Sequence, residues 1–278
     1  MKKIRLAWLI LLTAVMIFPL LMTFSNSFMD QGEIGQLYEK ENHVVNDTYM
    51  KIRLIPKEVS ATQYFLILIK QNKYIRMFWN TCFIILPLVL GHVFVSALAA
   101  FAFSKLKFRF RETLFFIYIV VMIMPFQVTL VPNYFVIQRL NLLDNPLSVI
   151  LPGIFGTFGV VLLRQFMMSI PNEYIEAAKI DGCNTFQIFR KVIIPLSKEG
   201  IASLGILYFI DYWNMIEQPL VFLKDVNKHP LSLALSGLNQ SSIGVAFAAS
   251  FIYMIPVLLV FFYGETHLVE GVKRSGIK

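Results

Sequence analysis

The chain has 278 residues, 57% of them hydrophobic and only 15% charged, with 26 Phe against 17 acidic residues and a formal charge of +8. Soluble globular chains are about 45–50% apolar and about 25% charged. This composition, with a mean hydropathy of +0.66, therefore excludes disorder, a coiled coil and a disulfide scaffold, and it argues against a cytosolic enzyme. It predicts an all-α polytopic membrane protein whose excess Lys and Arg belong to cytoplasmic loops, with lipid rather than nucleic acid as its surroundings.

A helical span needs about 20 mostly apolar residues. Six stretches supply them: residues 6–24, 77–103, 114–137, 146–168, 201–223 and 245–264. The first follows Lys2, Lys3 and Arg5; its apolar run exceeds a signal-peptide core and no A-x-A-like site follows, so it is expected to persist as an anchor. Residues 25–76 form a long segment between spans one and two, with seven basic and six acidic residues, and are expected outside the cell. In span two, Ala97, Ala99, Ala100 and Ala102 offer a small face for helix packing, and His92, alone on an apolar span, reads as a packing residue. Segment 104–113, SKLKFRFRET, sets Lys105, Lys107, Arg109 and Arg111 against Glu112 and is therefore placed in the cytoplasm. Span three carries Gln127, Thr129 and Asn133, and span four carries Gly153, Gly156 and Gly159 near one packing face. Proline interrupts most spans, at Pro19, Pro87, Pro125, Pro132, Pro152, Pro219 and Pro256.

Loop 170–200, with Lys179, Arg190, Lys191 and Lys198, and the tail, with Lys273, Arg274 and Lys278, fall on the cytoplasmic side. The opposite loops hold only Arg139 and the pair Lys224 and Lys228, so both termini are expected inside, with six helices between. Cys82 and Cys183 then lie at opposite faces and cannot form a disulfide, and no Cys/His spacing suggests a metal. In span five, Asp211, Asn214 and Gln218 sit at i, i+3 and i+7, with Glu217 beside them. A mid-membrane carboxylate costs at least about 2.5–3.5 kcal/mol. Asp211 should therefore serve either an interhelical hydrogen bond or the polar wall of a substrate path, to which Gln127, Thr129 and Asn133 would add. No nucleotide site is legible: in the tail GVKRSGIK, Ile277 stands where a phosphate-binding loop needs Lys. No nucleophile–base pair presents itself either, so the chain is read as non-catalytic, and any ATP would be bound by another chain.

Residues 170–200 are unusually ordered for a connector. Pro171 should open a short helix whose dipole Glu173 and Glu176 complement. Gly182 lets the chain turn, and a second helix follows with Phe186, Phe189 and Val192 along one row, ended by Pro195. A helix–turn–helix of this kind is a docking element.

Glu176-Ala177-Ala178-x-x-Asp181-Gly182, then Phe189 and Pro195, resembles the EAA loop of inner-membrane permeases of binding-protein-dependent ABC importers, with Cys183 and Ile194 as mild departures. Asn80-Thr81, Met124-Pro125, Val131-Pro132, Arg164, Trp213-Asn214, Pro219-Leu220 and the tail from Gly271 to Lys278 extend the likeness to maltose-type carbohydrate permeases. The resemblance implies a type I importer permease fold in a single transmembrane domain over 1–278. It implies that loop 170–200 couples to cytoplasmic ATPase subunits through Glu176, Ala177, Ala178, Asp181 and Gly182. ATP and Mg would sit on those ATPase chains, with no cofactor on this one. It also implies a second permease subunit, an extracytoplasmic substrate-binding protein, and a translocation path formed by Gln127, Asn133, Asp211, Asn214, Glu217 and Gln218. The competing expectation is a secondary transporter driven by an ion gradient, with Asp211 and Glu217 as coupling carboxylates.

Overall fold

The computed structural model describes residues 2–35, 37, 53–237 and 243–274, with side chains described from residue 3 and as far as residue 266. Part of the 25–76 segment (residues 38–52) and the end of the tail (275–278) lie outside the described residues. Short helical turns at Gln31–Ile34, Thr62–Phe65 and Leu66–Lys70 aside, the helices in chain order are α1 (Lys2–Asn26), α2 (Asn72–Lys105), α3 (Arg111–Ile123), α4 (Phe126–Arg139), α5 (Leu147–Ile154), α6 (Thr157–Met168) and α7 (Glu173–Ile180). They continue as α8 (Thr185–Leu196), α9 (Lys198–Trp213), α10 (Glu217–Phe222), α11 (Leu231–Ser236) and α12 (Ile243–Arg274). Among the described residues there is no strand, only one isolated bridge between Met29 and Val59. Among the described residues, four helical stretches are long and apolar enough to cross a membrane, or up to six if α3–α4, bent by 103°, and α8–α9, bent by 75°, each count as one span.

Of the prolines expected to interrupt the spans, Pro125 and Pro219 sit at breaks, whereas Pro19, Pro87, Pro132, Pro152 and Pro256 lie inside helices. Span three is not continuous: Met124 is extended (ψ 128°) because the residue before a proline is pushed out of the helical region, and α4 restarts after Pro125. Span five, expected over 201–223, starts earlier, at Lys198, and stops at Trp213, with α10 resuming at Glu217. Pro219 lacks an N–H and would crowd the carbonyl one turn back, so it tolerates a helix only from its first turn. Asp211, Asn214 and Gln218 consequently do not share one helical stripe. Pro195 does not end its helix; α8 runs one residue further, and a π turn over Phe189–Ile193 precedes the proline.

The described chain divides into two compact units. One comprises Met1–Trp79 and Pro230–Pro256. Its core joins Ile67, Tyr74 and Met77 to Leu231, Val245, Ala248 and Ala249. Helix α1 buries none of its most apolar stretch, with Trp8 61% and Met16 75% exposed, an arrangement that hydrocarbon tolerates and water does not.

The other unit comprises Asn80–His229 and Val257–Lys278. Ala97, Ala100 and Phe101 of α2 pack with Leu163 and Met167 of α6, with Ala178, Ile188, Phe189 and Ile193, and with Leu204 of α9. A glycine seam brings α2 against α5 and α6: Gly91 faces Ile154, Gly153 faces Leu88, and Gly156 and Gly159 face His92. His92 is fully buried and satisfied, with Nδ1 3.0 Å from the Gly153 carbonyl, Nε2 3.2 Å from Ser96 Oγ, and its ring stacked 3.7 Å from Tyr208. Cys82 and Cys183 are both free thiols. Among the described residues no three His, Cys, Asp or Glu side chains gather as a metal site.

At one end of this unit Asp144, in the left-handed region at φ 61°, organises two loops. Its carboxylate accepts from the N–H of Lys224 (3.0 Å) and of Asp225 (2.9 Å) and from Lys228 Nζ (2.6 Å). The hydrogen bond from Lys228, helped by the Asp225 N–H, holds the Asp144 carboxyl below the ordinary carboxylate range. A lowered folded pKa gives a contribution that is present above the unfolded value, about 4, and is lost as the pH falls through the folded value. Asp144→Asn keeps a residue that tolerates this backbone but removes the charge. The wild type should therefore melt above D144N in detergent at pH 7, and the gap should close on acidification. A gap unchanged by pH would show that the carboxylate charge is irrelevant.

Candidate functional site

The 170–200 loop is built as a rigid hairpin on the second unit. Helix α7 starts after Asn172, with Glu173 and Glu176 in its first turn and Lys179 in its last, each sign matched to the helix dipole. It ends in a Schellman motif: the Cys183 N–H reaches the Ala178 carbonyl (2.9 Å) and the Gly182 N–H reaches the Lys179 carbonyl (3.0 Å). Gly182 takes φ 78°, as the motif requires, and a Cβ there would meet nothing within 4 Å. Helix α8 then opens with a reciprocal capping box between Asn184 and Gln187, at 2.8 and 2.9 Å.

Of the five residues singled out in this loop, Glu176, Ala177, Asp181 and Gly182 are exposed, while Ala178 is buried in the core beside Ile188 and Phe189. The two alanines thus play different parts. Ala178 lets α7 lie close to its own unit, and Ala177 faces outward. Sequence reasoning missed Tyr174 and Ile180, 54% and 87% exposed, which flank Ala177 at three-residue spacing; helical periodicity counted from Ala177 would have found them. The row of Phe186, Phe189 and Val192 divides as well: Phe189 is buried, whereas Phe186 is 64% exposed. The outward face of α7 therefore presents Tyr174, Ala177 and Ile180 within a rim of Glu173, Glu176 and Asp181. Such a surface suits a partner with an apolar recess edged by cations.

A second feature is a cleft of about 650 Å³ lined by α3, α4, α5 and the start of α6, together with Tyr212 and Gln218. Its polar groups include Thr129, Asn133, Tyr212 and Gln218, and among the described residues no Lys or Arg lines it. The Tyr212 hydroxyl donates to the Gly153 carbonyl at 3.0 Å. Gln218 Oε1 is buried without a hydrogen-bond partner among the described residues. Gln127 Nε2 donates to the Glu217 carboxylate at 3.2 and 3.4 Å, tying α4 to α10. Asp211 and Asn214 are exposed and do not line the cleft; Asn214 Nδ2 bonds locally to the Ile210 carbonyl at 2.7 Å. The structure thus brings Asn133 and Gln218 together, joins Gln127 to Glu217, and leaves Asp211 and Asn214 apart.

Residues 92–274 match the family model described as binding-protein-dependent transport system inner membrane component. The chain is 32% identical to the polygalacturonan/rhamnogalacturonan transport system permease protein YtcP of Bacillus subtilis, over 67% of this chain and 71% of that protein. It is 28% identical to the sn-glycerol-3-phosphate transport system permease protein UgpE of Escherichia coli, over 96% of this chain and 94% of the relative. Its fold is that of a chain in the crystal structure of a bacterial ABC transporter involved in the import of the acidic polysaccharide alginate, with a TM-score of 0.81, 23% identity and 95% of each chain covered.

Proposed function

The chain belongs to the family of binding-protein-dependent transport system inner membrane components, and from that premise we propose that it forms half of the translocation path of an ATP-driven importer for a carbohydrate. In this reading the bent pairs and the long helices make six spans with both termini in the cytoplasm, residues 1–278 form one permease domain, and residues 25–76 lie outside. Loop 170–200 docks on a cytoplasmic ATPase, with Glu176, Ala177 and Asp181 at the contact and Ala178 and Gly182 fixing its shape. The ATPase holds ATP and Mg; this chain contributes neither a nucleotide site nor chemistry. A second permease chain completes the path, and an extracytoplasmic binding protein delivers the solute.

The observation that carries the reading is the locked hairpin presenting an acidic and apolar face on α7. The carbohydrate assignment is supported by the name of the Bacillus relative and by the cleft, where amide, hydroxyl and phenol groups alternate with apolar wall. With no cation lining it among the described residues, that cleft fits a neutral polyhydroxy solute better than an acidic one. Asn133, Gln218, Gln127 and Glu217 are assigned to the path from this side, and Asp211 and Asn214 from the face turned toward the second permease.

The test is uptake of candidate oligosaccharides into vesicles holding the complete importer. Uptake should require ATP and the binding protein, and Asp211→Ala should lower uptake more than it lowers the amount of folded protein. Uptake driven by an ion gradient without ATP would establish the secondary-transporter reading built on Asp211 and Glu217 instead.

A further inference from the structure

Three helices of the second unit meet at one buried cation. Arg164 of α6 is only 8% exposed. Its Nε donates to the Phe103 carbonyl (3.3 Å), one of the last carbonyls of α2 and so without a partner inside its own helix. Its Nη2 donates to Glu112 Oε2 (3.2 Å) in the first turn of α3, and its guanidinium carbon lies 3.8 Å from the centre of the Phe115 ring. Phe103, Phe115 and Val160 pack together around it. Beside it Lys105, the last residue of α2, donates Nζ to the Ile170 carbonyl and to Asn172 Oδ1 (3.2 Å), the residue that opens α7.

These contacts form an unbroken chain. The root of α7 is held by Lys105, Lys105 ends α2, the Phe103 carbonyl of α2 is held by Arg164, and Arg164 grips the start of α3. Helix α3 runs into the 103° bend with α4, and Val121, Met122, Met124, Phe126 and Thr129 around that bend line the cleft. A planar guanidinium suits this junction, because its fork serves two acceptors while its face covers an aromatic ring; lysine can do only part of this. The Glu112 arm is the breakable one, since its carboxylate is 64% exposed and shared with Arg111 Nη2 at 2.7 Å.

The geometry points to Arg164 as a positioning residue for energy coupling: it fastens the start of α3 to the α2–α6 frame that carries the docking loop, so that displacement of α7 by the ATPase moves the bend lining the cleft. This rests on the importer reading given above. A packing residue alone would affect how much complex forms; a coupling residue changes how much solute each ATP moves.

The experiment uses the complete importer in proteoliposomes and measures solute imported per ATP hydrolysed, together with the stimulation of hydrolysis by loaded binding protein. Mutations along a coupling network shift coupling by about 0.5–2 kcal/mol, so Arg164→Gln should lower the solute-to-ATP ratio roughly 2- to 30-fold per assembled complex. Arg164→Lys should fall between it and wild type. Glu112→Ala, at an exposed position where loss of the pair costs the fold little, should lower the same ratio while melting temperature and ATPase content stay at wild-type levels. The inference is overturned if R164Q and E112A leave the ratio unchanged. It is equally overturned if uptake and hydrolysis fall together in step with the amount of complex. A wild-type chain that assembles with the ATPase but shows no ATP-driven uptake would remove the importer reading itself, and the relay with it.

Discussion

If loop 170–200 docks on an ATPase as proposed, Gly182→Pro is expected to release that ATPase from the purified complex by at least about tenfold while leaving the chain inserted in the membrane. Proline fixes φ near −65°, whereas Gly182 sits at 78°. Proline also removes the N–H that Gly182 gives to the Lys179 carbonyl. The turn that ends α7 and directs α8 back to the core is therefore lost, at a cost of about 3 kcal/mol or more, against about 1.4 kcal/mol for a factor of ten. Because Gly182 is exposed and a Cβ there meets nothing within 4 Å, the damage stays in the loop. For the same reason Gly182→Ala meets only backbone strain, about 1–2 kcal/mol, and should keep a measurable share of the bound ATPase. Glu176→Lys makes the complementary change: it leaves the turn intact and reverses a charge on the outward face, so it too should lose the ATPase. The measurement is the ratio of ATPase to permease after affinity purification, with protease accessibility as the insertion control. Retention of the ATPase at the wild-type ratio by G182P would falsify the coupling role of the loop.

The long helices and the turn inside loop 170–200 were legible because they rest on local rules. Apolar length marks the long helices, and the glycine at position 182 announces a left-handed turn that the structure shows at φ 78°. The stripe of Asp211, Asn214 and Gln218 was misread, although the cause is also local. The effect of Pro219 one turn upstream, the break over residues 214–216, separates Gln218 from the other two. The division of Ala177 from Ala178, one outward and one in the core, depends on where α7 leans, which is set by Ile188 and Phe189 on the next helix. Arg164 could not be given a role from sequence at all, because its partners Phe103 and Glu112 are 61 and 52 residues away. Tertiary contacts of that separation leave no periodic trace.

The largest effect on the fold itself is expected at Gly159. A Cβ there would lie 2.5 Å from Ser96 Oγ and closer still to His92 Nε2. His92 cannot withdraw, since it is buried, bonded to the Gly153 carbonyl and stacked on Tyr208. In lipid, helices gain nothing by hiding apolar surface from one another, so close backbone approach and interhelical hydrogen bonds hold the seam. Gly159→Val therefore forces α2 and α6 apart. Overpacking of this kind costs about 1–3 kcal/mol or more, and the yield of folded protein and its melting temperature should both drop. Gly159→Ala should drop less, and adding His92→Ala to it should cost less than the sum of the two single changes, because each removes part of the same clash. The path should suffer with the fold: the Gly153 carbonyl that anchors His92 also receives the Tyr212 hydroxyl in the wall of the cleft. Whatever G159V folds should accordingly import less solute per molecule than wild type. A variant that melts with wild type, or a double mutant whose cost is strictly additive, would mean that the seam tolerates a wider separation than its geometry allows.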